Sequence, residues 1–115
     1  MTLGRKGEDL AAEFLKQNGY TILFRNYRTR IGEIDIIAAT DEALIFCEVK
    51  TRRNCAYGDP VEAVTPKKQA TIRTIAEYYL ATGNKNNYYR DIRFDIITIL
   101  SDGNTYSMKH YINAF

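Results

Sequence analysis

One segment constrains this chain more than any other: residues 33–50, EIDIIAATDEALIFCEVK. Two apolar runs of strand length, 33–39 and 43–50, are joined only by Thr-Asp-Glu, a connection that fits an antiparallel hairpin. Four charges nonetheless stand in those runs: Glu33, Asp35, Glu48 and Lys50. Strand side chains alternate between faces, so Glu33 and Asp35 share a face, as do Glu48 and Lys50. Directly opposed residues have Cβ atoms about 4.5–5.5 Å apart, so a register setting Asp35 beside Glu48 brings two carboxylates together. They would repel, and one would take up a proton, unless a divalent cation lay between them. Mg²⁺ is held by one or two carboxylates with waters and phosphate oxygens completing its shell. Lys50, one pleat from Glu48, would then orient or deprotonate a water, or stabilise charge on a scissile phosphate. Metal-assisted phosphodiester hydrolysis is the chemistry these groups suit. From spacing alone, a solvated, charge-alternating strand face is the commoner reading. Leu44 and Phe46, on the face of Glu48 and Lys50, favour instead the edge of a core beside a cleft.

The remaining elements follow from periodicity. Leu3, Gly7, Leu10, Ala11, Phe14 and Leu15 predict a helix over about residues 3–18, with Gly19 as its stop. YTILFRNYR (20–28) is rich in β-branched and aromatic residues and reads as the first strand. Residues 51–64, broken by Gly58 and Pro60, read as irregular. Thr65 and Pro66 then supply a capping hydroxyl and a proline at the first helical position. Ile72, Ile75, Ala76, Tyr79 and Leu80 carry the second helix on to Gly83. IRFDIITIL (92–100), the turn SDGN and TYSMKHYI (105–112) form a hairpin around an Asp-Gly signal. The order α-β-β-β-α-β-β is a three-strand meander followed by a helical crossover into a parallel fourth strand. It predicts a mixed α/β fold of about five strands with two flanking helices, and 115 residues suffice for one domain over 1–115.

Other features narrow the function. No run approaches the roughly 18 apolar residues of a membrane span. The start, MTLGRKGEDLAAEF, lacks the apolar core of a secretory signal, so a cytoplasmic protein without a membrane partner is expected. Cys47 and Cys55 have no zinc-type spacing and suggest no disulfide. A net charge of +2 does not by itself imply nucleic-acid binding, but the distribution of cations says more. Arg25, Arg28 and Arg30 precede the acidic strand, Arg52 and Arg53 follow Lys50, and Lys67 and Lys68 open the second helix. All flank the acids in sequence and suit phosphate contacts, favouring nucleic acid over a small phosphate ester. The helix start at Thr65 adds N–H donors for a backbone phosphate. Asp95 is expected to pair with Arg93 or another cation, and His110 to be a surface or packing residue. Tyr78 and Tyr79 read as core and surface aromatics, and Tyr57 as the aromatic to watch for base stacking.

Asp35 with Glu48-x-Lys50 resembles the motif of the PD-(D/E)xK nuclease superfamily, whose restriction-endonuclease-like fold is shared by archaeal Holliday junction resolvases. More closely, GRKGED, GYTILFRNYR, GEIDIIA, FCEVKTRR, EAVTPKKQ, RFDIITI and the final NAF resemble the YraN-type family of uncharacterised bacterial proteins, from Gly4 to Phe115. The resemblance implies that Asp35 and Glu48 bind metal, Mg²⁺ or Mn²⁺, and that Lys50 is the catalytic lysine. It also implies that Glu8, on the first helix, is the acid completing the site. Glu8 borders the apolar stripe, and Gly4 and Gly7, each costing roughly 1 kcal/mol of helix propensity, would be explained by close packing on the sheet. Ile34 stands where the motif has proline. Glu33 is either a further ligand or proton acceptor, or the solvated first residue of its strand. The implied activity is endonucleolytic cleavage of DNA, with branched or repair intermediates as candidate substrates. Resolvases of this fold act as dimers, which raises a homodimer as a partner. A non-catalytic nucleic-acid-binding module and a structural protein whose acids pair with Arg28, Arg30 or Lys50 are the alternatives.

Overall fold

The structure, a computed structural model, describes residues 2–53, 64–82 and 89–115. Among these the order is α1 (Leu3–Gln17), β1 (Thr21–Thr29), β2 (Gly32–Ala39), β3 (Ala43–Arg52), α2 (Pro66–Thr82), β4 (Asp91–Ser101) and β5 (Tyr106–Tyr111). The expected α-β-β-β-α-β-β order is therefore present. Cys55, Tyr57, Gly58, Pro60 and Gly83, singled out above, lie outside the described residues.

The five strands form one sheet in sequence order, β1-β2-β3-β4-β5. β1, β2 and β3 make the antiparallel meander, β3 and β4 run parallel, and β5 folds back on β4. A parallel pair needs a crossover, which α2 supplies. β3 runs two residues beyond the expected Lys50, because Thr51 and Arg52 pair with Ile99 and Leu100. Extra ladder bonds thus override a sequence that reads as irregular.

Each helix covers one face. Ala11, Ala12 and Leu15 of α1 bury against Ile36, Ile45, Cys47, Val49, Ile97 and Ile99. Ile72, Ile75, Ala76 and Tyr79 of α2 bury against Ile37, Leu44, Phe46 and Ile96. Leu80, assigned above to the same apolar face, is 37% exposed and lies outside that buried cluster. Each large apolar side chain so buried contributes about 1.5–3 kcal/mol. The alternation of 43, 45, 47, 49 against 44, 46 along β3 decides that Glu48 and Lys50 point to the α2 side. The caps match the chemistry of their residues. Thr2 Oγ1 accepts from Arg5 N at 3.2 Å, and Thr65 Oγ1 accepts from Lys68 N at 3.2 Å. α1 ends where Gly19 takes φ +87°, a conformation glycine adopts without penalty.

Gly7 is where α1 approaches the sheet: a Cβ there would collide with the Thr51 hydroxyl of β3. Gly4 does not share this reason, because a Cβ there meets nothing within 4 Å. The close-packing explanation holds for one glycine of the two.

Candidate functional site

The site is built where β2 and β3 part. Their ladder runs from Ala39↔Leu44 to Ile36↔Cys47, and the next residues on each strand are Asp35 and Glu48. Beyond that point a side chain replaces the backbone acceptor: Val49 N–H donates to Asp35 Oδ2 at 2.8 Å. The pleat of β2 also breaks there. Ile34 packs in the α2-side core and Ile36 in the α1-side core, two residues apart on opposite faces. A period of two therefore does not run through Asp35, and the expectation that Glu33 and Asp35 share a face fails with it.

β1 bends at the same level. Its register passes from Arg25↔Ile36 to Tyr27↔Ile34, leaving Asn26 across from Asp35 with φ +55°. Asparagine is among the few non-glycine residues that enter this left-handed region readily. The Asn26 amide donates to Glu8 Oε1 at 3.1 Å, fastening α1 to the bend. Sequence reasoning passed over Asn26; an asparagine inside a strand-like run, where it is disfavoured, was the available signal.

Asp35 and Glu48 are 7% and 4% exposed, so both acids have left water. Burial, first, and then the hydrogen bond and charge of Glu48 push Asp35 up to about 9, against the lowering effect of the Val49 N–H. Glu8 is also raised, by burial first, opposed by Arg25 and reinforced by Glu33, Asp9 and Glu48. Lys68 Nζ lies 3.2 Å from Glu48 Oε2, yet off the hydrogen-bonding direction. That oxygen is buried and has no hydrogen-bond partner among the described residues.

Two buried carboxyls, one with an orphaned oxygen, fit a hard divalent ion that keeps most of its water. Glu8 does not complete a closed ligand set: no group of three or more His, Cys, Asp or Glu among the described residues is close enough to hold a metal ion. The hydrogen bond it accepts from the Asn26 amide holds it aside, though near enough for its charge to act on Asp35. Lys50 is half-buried on the Glu48 side of β3.

The cations fall into two groups. Arg25 is bonded to Asp9 at 2.7 Å, and Arg28 to Glu33 at 2.9 Å, which gives Glu33 a surface partner. These residues border a cavity of about 620 Å³ that also touches Gly4, Glu8 and Asn26. Arg30, Arg53 and Lys67 are exposed and pair with no acid among the described residues, and Arg52 is half-buried at the end of β3. Lys68, expected as a phosphate contact, pairs here with Glu48.

Away from the site, Asp95 is wholly buried and bonded to Arg93 Nη2 at 2.6 Å, to His110 Nε2 at 2.8 Å and to Asn113 N at 3.1 Å. Burial alone pushes its carboxyl up; His110, Arg93 and the Asn113 N–H overcome this and hold it below the ordinary value. The expected Arg93 pairing is present, and His110 is a packing residue edge-on to Phe14 and Tyr20. Tyr79 is core and Tyr78 surface, as read. No helix among the described residues is long and apolar enough to cross a membrane.

Comparison with known proteins places relatives along the whole chain. The model of the uncharacterised protein family UPF0102 matches residues 7–99. A UPF0102 protein of Syntrophomonas wolfei is 42% identical over 113 residues, covering 98% of this chain and 96% of its own. One of Alkaliphilus oremlandii is 46% identical, with 98% and 97% covered. One of Chlorobium limicola is 48% identical, with 99% and 92% covered.

Proposed function

The chain belongs to the uncharacterised protein family UPF0102, and from its site we propose that it is a metal-dependent endonuclease hydrolysing phosphodiester bonds in DNA. One observation carries this reading: two carboxyls are buried together at the open end of a hairpin, and one oxygen of Glu48 has no hydrogen bond and only the Lys68 ammonium beside it among the described residues. Such a pair is electrostatically costly, and its arrangement has a use if a cation relieves it. Asp35 and Glu48 would hold Mg²⁺ or Mn²⁺, and Glu8 would join them as the third acid only on giving up its hydrogen bond from Asn26. When bound, the ion would polarise a phosphoryl oxygen and make its water a better nucleophile. The chain's own groups do the rest. Lys50 orients the water or meets the charge growing on the phosphate, and Val49 N–H keeps Asp35 in place. Arg30, Arg52, Arg53 and Lys67 hold the backbone on either side, with Arg25 and Arg28 contributing after release from Asp9 and Glu33. Lys68, released from Glu48, would become a phosphate contact.

The test is a divalent-ion panel with Mg²⁺ and Mn²⁺ over single-stranded, duplex, flap and four-way-junction DNA. Asp35→Asn and Glu48→Gln are run beside the parent, with circular dichroism to verify folding. Cleavage is expected from the parent and absent from both variants; unchanged cleavage by either folded variant removes the assignment.

A second reading has its own support. Lys68 already neutralises Glu48, and Glu8 is committed to Asn26, so the acids are partly satisfied by the protein itself. In that case the chain binds nucleic acid without cutting it. Calorimetric titration with Mn²⁺ separates the two: the endonuclease takes up the ion through Asp35 and Glu48, and the binding module does not.

A further inference from the structure

The turn between β1 and β2 leans on α2 and encloses a groove of about 350 Å³, lined chiefly by Arg28, Arg30, Ile31, Ile75 and Tyr78. Its composition is odd for a surface turn. Ile31 and Tyr78 stand 58% and 57% exposed on its two lips, while Ile75 forms a buried floor. Hairpin turns are ordinarily polar, so a large apolar residue at the tip, facing an exposed tyrosine, has no packing reason. The turn packs closely on α2 beside the groove: a Cβ on Gly32 would sit 3.3 Å from Thr71 Cγ2, a tight contact, and 3.5 Å from Ile75 Cδ1, an ordinary one.

The groove leads to the carboxyl pair. Ile31 is shared with a second hollow that reaches Thr65, Lys67 and Lys68, and Lys68 touches Glu48. On α2, Lys68, Thr71, Ile75 and Tyr78 follow at spacings of three, four and three, which is one face of a helix. Ten residues of helix separate Lys68 from Tyr78, about 15 Å at 1.5 Å per residue. The charges lining the groove itself are both arginine. Arg28 spends its Nε on Glu33 and keeps its other donors, and Arg30 pairs with no acid among the described residues.

We propose that this groove receives an unpaired nucleobase on the strand that leaves the Asp35–Glu48 pair along α2. Tyr78 and Ile31 sandwich the base, and Arg28 and Arg30 hold its phosphates. The assignment rests on the nucleic-acid reading above and deepens it: the preferred substrate carries unstacked bases next to duplex. An apolar peptide anchor would fill the same space. The arginine rim, continuous with Lys67 and Lys68, instead matches a polyanionic backbone.

The test is fluorescence anisotropy with Ca²⁺ in place of Mg²⁺, using three labelled probes: a blunt duplex, that duplex with a short oligothymidine extension, and oligothymidine alone. Tyr78 is exposed, so Tyr78→Ala leaves the core intact, which circular dichroism checks. The variant is expected to bind the two probes with unpaired bases roughly 5- to 150-fold more weakly, with no matching loss on the blunt duplex. Tyr78→Phe, which keeps the ring, is expected to retain parental binding. Undiminished binding of the unpaired probes by Tyr78→Ala, or an equal loss on all three, overturns the base groove and leaves the nucleic-acid reading standing. Failure of the parent to bind any probe overturns both.

Discussion

Asp35 keeps its proton in the folded chain up to about pH 9, against an ordinary value of 3.8. The sign of the consequence follows from linkage. The folded state binds the extra proton, so this contribution to stability is complete below about pH 4 and is lost as pH rises towards 9. Metal-free protein should therefore lose stability across that window in urea titrations. Asp35→Asn should flatten the slope and melt higher at pH 8, by about 4 °C for each kcal/mol gained. A variant with the parental slope would show that the Asp35 carboxyl does not carry this pH dependence. Mn²⁺ should raise the parent's melting temperature and leave Asp35→Asn nearly unmoved. At this scale the sequence was legible for residue type and silent on conformation. Asp35, Glu48 and Lys50 could be named from spacing on two strands. The left-handed Asn26, the broken pleat at Asp35 and the hold of Lys68 on Glu48 depend on neighbours distant along the chain. No local periodicity encodes them.

The elements themselves were plain in the sequence, because each carries its own punctuation. Thr65-Pro66 opens α2, Gly19 closes α1, and Gly103 with the Asp102 carboxylate makes the last turn, where Asp102 Oδ1 accepts from Asn104 and Thr105 N–H. What propensity could not tell is why two glycines stand in one helix. Gly7 backs onto Thr51, and Gly4 faces open space beside the cavity that touches Glu8. The two should answer oppositely to alanine. Gly4→Ala is expected to stabilise the protein by up to about 1 kcal/mol through helix propensity. Gly7→Ala should destabilise it by about 1–3 kcal/mol through overpacking, and Thr51→Ala should restore part of the loss. Thermal melts of the three variants decide this; a stabilising Gly7→Ala would mean that α1 lies further from β3 than described.

Across the whole molecule a charge of +2 understates what a polyanion would meet, since Arg30, Arg53 and Lys67 are exposed and pair with no acid among the described residues. Binding to DNA should weaken steeply with salt, and each phosphate contact removed should lower the slope of log K against log salt by about one. Lys67→Ala is expected to show that reduction. Arg25→Ala should change it less, because Arg25 already answers to Asp9. Equal slopes for parent and Lys67→Ala would take Lys67 out of the interface. The parallel seam between β3 and β4 has a different kind of consequence, one of timing. Contacts close in sequence form before those needing a large loop to close. The β1–β2–β3 meander is therefore expected to assemble early, bringing Asp35 to Glu48 before α2, and with it Lys68, has docked. On that order the chain would meet this electrostatic conflict before the lysine that eases it arrives. Stopped-flow refolding should accordingly quicken when acid or Mn²⁺ is present from the first millisecond, and an unaltered rate would place α2 ahead of the meander.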